Sequence, residues 1–167
     1  MTQAGLAAED HAGRTEEGRA KDNGARQRRL SVLAKAAGAD LLARWKQTGL
    51  DPAVELLRGP EIGLVALQGR AGGTGQPFHV GEVSATRVTV RIETGQVGHA
   101  MIRGRDQRKA QLVAVIDALA QDPVHAATIE DIIVAPLEAL AVEADAKLRS
   151  ETVATRVNFF TMVRGED

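Results

Sequence analysis

The sequence predicts an α+β domain in which a small antiparallel β-meander lies between helices that precede it and helices that follow it. Apolar residues recur at helical spacing before residue 58 and again after residue 104, whereas alternating and aliphatic stretches separated by glycines fill residues 61–103. This order of elements favours an α+β fold over βαβ winding. The 167 residues, of which 44% are hydrophobic, suffice for one core, so we expect a single domain.

The N-terminal segment lacks the apolar residues that a core requires. Residues 1–24 are rich in glycine, alanine and charged side chains, and Leu6 is the only large aliphatic residue besides Met1. Such a segment cannot bury enough surface to offset the entropy lost on ordering. We therefore expect a disordered tail over residues 1–24 and the domain over residues 25–167.

Three short helices are predicted before the sheet. Leu30 and Leu33 recur at helical spacing in the first, and Asp40 can cap the second. Asp51-Pro52 has the form of a cap followed by the first turn of a third helix. The predicted helices run from residue 26 to 38, from 40 to 49 and from 51 to 57.

The predicted strands begin with an aliphatic run from Glu61 to Arg70, followed by a strand from Phe78 to Val83 that is broken near Gly81. From Ala85 to Glu93 the residues alternate between two faces, as expected of a half-buried strand. Val88, Val90 and Ile92 fall on the core face, and Arg87, Thr89 and Arg91 fall on the opposite face.

Thr94-Gly95 can form a two-residue hairpin loop to the next strand. That loop fixes a register in which His99 points toward the core. The expected pairs are Ile92 with Val97, Val90 with His99 and Val88 with Met101.

Helices are again predicted after the sheet. Asp106 can cap a helix that ends at Asp122-Pro123 and has one apolar stripe, formed by Leu112, Val115, Ile116 and Leu119. Residues 128–134 fit either a strand or a helix, and Pro136 can start a helix from 137 to about 153. The apolar closing segment 156–164 contains half of the aromatic residues, so we expect it to dock on a surface.

Composition excludes several classes of function. The formal net charge of −1 provides no field that attracts nucleic acid. No cysteine is present, and the four histidines are scattered without metal-ligand spacing, so we expect neither a metal site nor a cofactor bound by this chain alone. No apolar run approaches the ~20 residues of a membrane helix and no signal peptide is evident, so we expect a cytoplasmic protein without membrane or nucleic-acid partners.

Two groups of residues are candidates for binding. Gly72, Gly73, Thr74 and Gly75 can present backbone N–H groups to a phosphate, or can simply form a tight connection, because a Lys-Ser/Thr pair and a following helix are both missing. Arg87 and Arg91 share one face of a strand, with Arg70 and Arg105 nearby in the sequence. Guanidinium groups suit phosphate or carboxylate, and the small residues Gly98 and Ala100 opposite would leave room for a guest. The alternative is a solvated strand face.

Several of these stretches together resemble the PhnG family, the G subunit of the bacterial carbon–phosphorus lyase system. The resemblance extends from about Gln27 to Glu166. It is carried by the segments 70–75, 86–91, 104–106, 116–119, 135–137 and above all 156–165. The most specific piece is Asn158-Phe-Phe-Thr-Met-Val-Arg-Gly165, in which Asn158 stands where an aspartate is expected.

The resemblance implies membership of an assembly that degrades organophosphonates. In that family the G subunit works with the I, H and L subunits to transfer the ribose triphosphate of MgATP to methylphosphonate, with release of adenine, and it forms a core complex with the H, I and J subunits. The catalytic centre is attributed to the I subunit, and zinc, iron–sulfur and S-adenosylmethionine chemistry to other subunits. The resemblance carries no catalytic residue onto this chain. Candidate subunit-interface residues are Asn158, Phe159, Phe160, Met162 and Arg164.

Two other functions stay open at this point. One is a small stand-alone enzyme that uses His99 and Asp106, and the other is a free-standing anion- or nucleotide-binding module built around the glycine loop. Either would act without a partner, whereas a subunit of the lyase system requires one.

Overall fold

The computed structural model describes the backbone of residues 16–154 and the side chains of residues 22–153. In this part of the chain, helices from both ends pack on one three-stranded antiparallel sheet in the order β1-β2-β3, which confirms the α+β prediction. The elements are α1 (Glu16–Lys35), α2 (Gly38–Thr48), β1 (Val54–Arg70), β2 (Pro77–Ile92), β3 (Val97–Arg103), α3 (Gln107–Leu119), α4 (Pro123–Ile129), a π-helical turn (Glu130–Val134) and α5 (Ala135–Ala154).

Helix α3 covers one face of the sheet and forms the centre of the core. Its apolar stripe was correctly predicted: Val115, Ile116 and Leu119 are buried, and Leu112 packs against them. The side chain of Asp106 accepts a hydrogen bond from the Lys109 N–H at 2.9 Å, which confirms the predicted cap. Opposite α3 the sheet contributes Val88, Val90, Ile92, Ala100 and Ile102.

Helix α3 approaches β3 most closely at Gly98. A Cβ atom on Gly98 would lie 1.9 Å from the backbone oxygen of Ala114 and 2.7 Å from the backbone nitrogen of Ala118. No side chain fits in this contact, because both neighbouring atoms belong to a helix backbone. Gly98 and Ala100 therefore contact α3 in the core, and they do not leave room for a guest beside the arginines.

The carboxylate of Asp117 joins three elements inside the molecule. Its side chain is fully buried. Arg26 of α1 donates from Nε to Oδ1 at 2.9 Å and from a terminal nitrogen to Oδ2 at 2.6 Å, and the backbone N–H of His99 in β3 donates to Oδ2 at 3.0 Å. These hydrogen bonds satisfy a charge that would otherwise be costly to bury.

The predicted third helix over 51–57 is wrong, because strand β1 begins at Val54. Val54 pairs with Ile92 and Leu56 with Val90, so pairing with a central strand outweighs the local Asp51-Pro52 helix signal. Strand β1 then continues to Arg70 through register shifts around Arg58.

The predicted break near Gly81 is also wrong, because β2 is one continuous strand from Pro77 to Ile92. The glycine lies instead beside a register shift, where Leu67 pairs with Gly81 and the next residue, Gln68, pairs with His79. One residue of β2 is thus extra, as in a β-bulge.

The hairpin between β2 and β3 differs from the prediction by one residue. The N–H of Ile92 donates to the oxygen of Gln96 at 3.1 Å, so the loop has three residues, with Gly95 at φ +92°. Thr89 therefore pairs with His99, and Arg87 with Met101. A shift of one residue reverses the faces of a strand, and His99 lies on the exposed face rather than in the core.

Two helical segments extend beyond, or settle, the predicted bounds. Helix α1 begins at Glu16 and so includes residues 16–24 of the segment expected to be disordered, where glutamate, arginine, alanine and lysine favour helix. Residues 128–134 are helical, and Asp122 caps α4. Residues 1–15 and the closing segment 156–164 lie outside the described residues.

Replacing Gly98 by alanine tests the close contact between β3 and α3. We expect Gly98→Ala to lower the free energy of unfolding by about 1–3 kcal/mol or more, because the helix must move to admit the methyl group. Gly63→Ala is the matched control, since a Cβ on this strand glycine meets no atom within 4 Å. Urea unfolding of the two variants measures the difference, and equal stabilities would contradict the contact.

Candidate functional site

The exposed face of the sheet holds both strand arginines, as their alternation with valines predicted. Arg87 donates from Nε to Glu61 Oε2 at 2.9 Å, and Arg91 donates to Glu55 Oε2 at 3.2 Å. Both carboxylates come from β1. Each guanidinium group therefore already has a carboxylate partner on the neighbouring strand, which the alternation of residues in β2 alone does not predict.

Glu61 receives two arginines at once. Arg58 also donates from Nε to this carboxylate, at 3.2 Å to Oε2. The hydrogen bond from Arg87, followed by that from Arg58, lowers the pKa of Glu61 below its usual range. With Glu55 and Arg91 the cluster contains three guanidinium groups and two carboxylates. All these side chains are exposed, so each ion pair contributes little to stability and can be exchanged for another partner.

The glycine segment forms the tip of the β1–β2 hairpin. Residues 71–73 make a 3₁₀ turn in which Gly72 and Gly73 have positive φ angles of 61° and 81°. The N–H groups of Thr74 and Gly75 both donate to the oxygen of Ala71. Since the turn satisfies these amides internally, its geometry favours the tight connection over an anion-binding nest.

The other predicted residues are not brought together. Arg70 donates to the oxygen of Gly75 at the hairpin tip, ~30 Å along β1 from Glu61 at ~3.3 Å per residue. Arg105 is exposed before α3. His99 contacts Thr89 Oγ1 at 3.1 Å on the exposed face of the sheet, whereas the side chain of Asp106 caps α3. The pair suggested for a stand-alone enzyme therefore has separate structural surroundings.

One groove was missed because residues distant in sequence form it. It has a volume of about 850 Å³ and lies between α2, the segment before β1, and α3. Its apolar lining includes Leu42, Trp45, Val54 and Leu112, and Asp51 and Arg108 are among its charged residues. The available sequence signal was the spacing of Leu42 and Trp45, which places two large apolar side chains on one face of a helix.

A second missed feature is the β-arm, which we define as residues 62–84. Strand β3 pairs with residues 85–91 only, so beyond this point β1 and β2 continue as a two-stranded ribbon. No residue from 62 to 84 is buried. Its exposed large apolar residues are Ile62, Leu64, Leu67, Phe78 and Val80. A dense aliphatic run such as that of β1 is typical of a strand covered on both faces, but within the described residues neither face of the arm is covered.

Within residues 22–153 no three histidine or acidic side chains are grouped as a metal ion would require. In the same stretch no helix is long and apolar enough to cross a membrane.

Removing Arg87 should change the titration of Glu61. We expect Arg87→Ala to raise the pKa of Glu61 toward its ordinary value, though not fully, because Arg58 remains. Since the folded-state pKa is lowered, the interaction stabilises the fold above the unfolded-state pKa and is lost as the pH falls through the folded-state pKa. NMR titration of the glutamate carboxyl carbons measures the shift. Arg91→Ala, which removes the partner of Glu55, is the control and should leave Glu61 unchanged.

Comparison with known proteins relates the chain to a family. A family model described as phosphonate metabolism protein PhnG matches residues 24–165. The chain is also 46% identical over 151 residues to the alpha-D-ribose 1-methylphosphonate 5-triphosphate synthase subunit PhnG of Rhizobium meliloti (strain 1021), a match that covers 87% of this chain and 94% of that protein. Both matches span most of the chain, and the chain belongs to the PhnG family.

Proposed function

We propose that this chain is a subunit of an alpha-D-ribose 1-methylphosphonate 5-triphosphate synthase. Such an enzyme transfers the ribose triphosphate of MgATP to methylphosphonate and releases adenine. The observation that carries the proposal is the match to the Rhizobium meliloti subunit, which is 46% identical and covers 94% of that protein. The alignment extends over nearly the full length of that subunit, so the proposal does not rest on a shared fragment.

The chain acts in this proposal as a non-catalytic subunit in the cytoplasm. Its direct partner is the I-type subunit, which holds the catalytic centre, and the H, J and L subunits complete the system. MgATP is a substrate of the complex, while zinc and iron–sulfur chemistry belongs to other subunits. The structural roles of His99 and Asp106 support this assignment, because the first contacts Thr89 on the sheet and the second caps a helix.

The arginine cluster on the exposed sheet face is the proposed boundary with a partner. Arg58, Arg87 and Arg91 exceed Glu55 and Glu61 by one positive charge. The existing pairs are weak because they are solvated, so an acidic partner surface or a polyphosphate can exchange with them at small cost. Arg70, Arg105, the glycine turn and the segment 158–164 remain further candidates for the same role.

Omission of one subunit tests the proposed function. Adenine release from MgATP and methylphosphonate should require this chain together with the I, H and L subunits, and the isolated chain should release none. Full activity of the other subunits without this chain, or activity of this chain alone, would overturn the proposal. Adenine is quantified by chromatography.

Replacing both strand arginines tests the proposed boundary. Arg87→Ala with Arg91→Ala should lower adenine release or assembly by at least about tenfold, since each charge-assisted contact contributes about 1.5–3 kcal/mol. The double lysine variant should recover part of the loss, because an ammonium group keeps the charge without the two-pronged geometry. Lys46→Ala, an exposed cation on α2, is the control. Unchanged assembly and turnover in the double alanine variant would identify a solvated face.

A further inference from the structure

We propose that one face of the β-arm docks into an apolar cleft on another subunit of the synthase, and that the rim of this cleft is acidic where the arm leaves the sheet. The identity of the partner rests on the proposed function. The docking face itself follows from the geometry and charges of residues 58–101.

The β-arm extends beyond the part of the sheet that the helices cover. Within the described residues no strand pairs with residues 77–84 on the side away from β1. A two-stranded ribbon without a covering layer is only marginally stable in water. We therefore expect another molecule to cover one face of the arm.

The register shift in the arm places Phe78 and Val80 on the same face as Leu67, whereas Ile62 and Leu64 alternate onto the opposite face. Because one residue of β2 is extra between Gly81 and His79, the side chains that follow change sides relative to β1. A Cβ on Gly69 would lie 2.7 Å from Val80 Cγ2 and 3.7 Å from Phe78 Cζ, so both side chains lie over Gly69. A larger residue at position 69 would displace them.

Alternation along β1 places further apolar residues on this same face. Val65 and Leu67 share the side of Gly69, and Val83 pairs with Val65. The resulting docking stripe consists of Val65, Leu67, Phe78, Val80 and Val83. Leu67, Phe78 and Val80 are 45%, 51% and 61% exposed, although apolar side chains of this size are usually buried.

The size of the arm suits a specific protein interface. Nine residues of β1 at ~3.3 Å each give a ribbon of ~30 Å. Docked in a cleft by one face and its two edges, a ribbon of this length buries on the order of several hundred Å², which approaches the ~800 Å² per partner of a standard interface. Arg70 and Glu82 are the only charged side chains from 62 to 84, so few charges would need to be desolvated.

The charges at the base of the arm, where it joins the rest of the sheet, indicate that the rim of the cleft is acidic. Arg58 and Arg87 share the single carboxylate of Glu61 there, and Met101, which is 59% exposed, lies on the same face beside Arg87. An apolar cleft that ends in carboxylates would match both the stripe and this excess of positive charge.

The same charges argue against a second copy of this chain as the occupant. In an antiparallel pair of arms, the cationic base of one arm would lie beside Arg70 at the tip of the other. In a parallel pair, the two cationic bases would lie side by side. Both arrangements bring like charges together, which disfavours association.

Substitutions on the docking stripe test the proposal in the assembled complex. The tagged full-length chain is coexpressed with the other synthase subunits to test whether the complex assembles. The affinity of the purified chain for the other purified subunits is then measured by titration. Leu67→Asp combined with Val80→Asp should weaken assembly by at least roughly tenfold, as expected when central apolar anchors are lost. Val124→Asp on α4, at a residue that is 77% exposed, is the control and should assemble normally. Circular dichroism and thermal unfolding verify that each variant is folded.

Normal assembly of the double variant would contradict the proposal that the docking stripe binds another subunit, and it would leave the proposed function unaffected. Failure of the unsubstituted chain to join the other subunits would overturn both. Hydrogen exchange in residues 62–84 identifies the occupant, because these amides should exchange rapidly in the isolated chain and slowly in the complex. Protection of the isolated chain that disappears on dilution would identify a second copy and overturn the proposal. Protection that disappears on deletion of residues 155–167 would identify the C-terminal segment, with the same consequence.

Discussion

The buried carboxylate of Asp117 is the interaction on which the arrangement of the core depends. It receives Arg26 from α1 and a backbone N–H from β3, and it lies on the helix that covers the sheet. Lys109 strengthens the same junction, because its ammonium group donates to the oxygens of Ala34 and Ala36 at the end of α1. Helices α1 and α3, which precede and follow the sheet, are thereby fixed on one of its faces, and within the described residues no helix covers the other face.

This one-sided packing explains why the candidate surfaces lie where they do. The arginine cluster and the docking stripe occupy the face opposite α3, one near the centre of the sheet and one on its extension. The part of the sheet that pairs with β3 ends at Ala85, and the β-arm continues beyond it. Both candidate surfaces are therefore exposed on the sheet and its extension, and neither is enclosed in a pocket.

Sequence alone predicted the features that depend on local periodicity. The alternation of Arg87 and Arg91 with valines identified the exposed face, and the spacing from Leu112 to Leu119 identified the helix that covers the core. Features that depend on pairing were missed. The Asp51-Pro52 signal could not reveal that Val54 would pair with Ile92, and the loop before Gln96 could not reveal whether it held two residues or three. That single residue determined the face of His99.

The open edges of the β-arm have a consequence for how this protein must be produced. Within the described residues, 77–83 have no strand partner on the side away from β1, beside an apolar face, and such edges recruit strands from other chains into aggregates. Only Glu82 interrupts this stretch with a charge. We therefore expect the chain to stay soluble only when other subunits bind it and cover this edge. Balanced synthesis of the subunits then becomes a requirement of the fold itself.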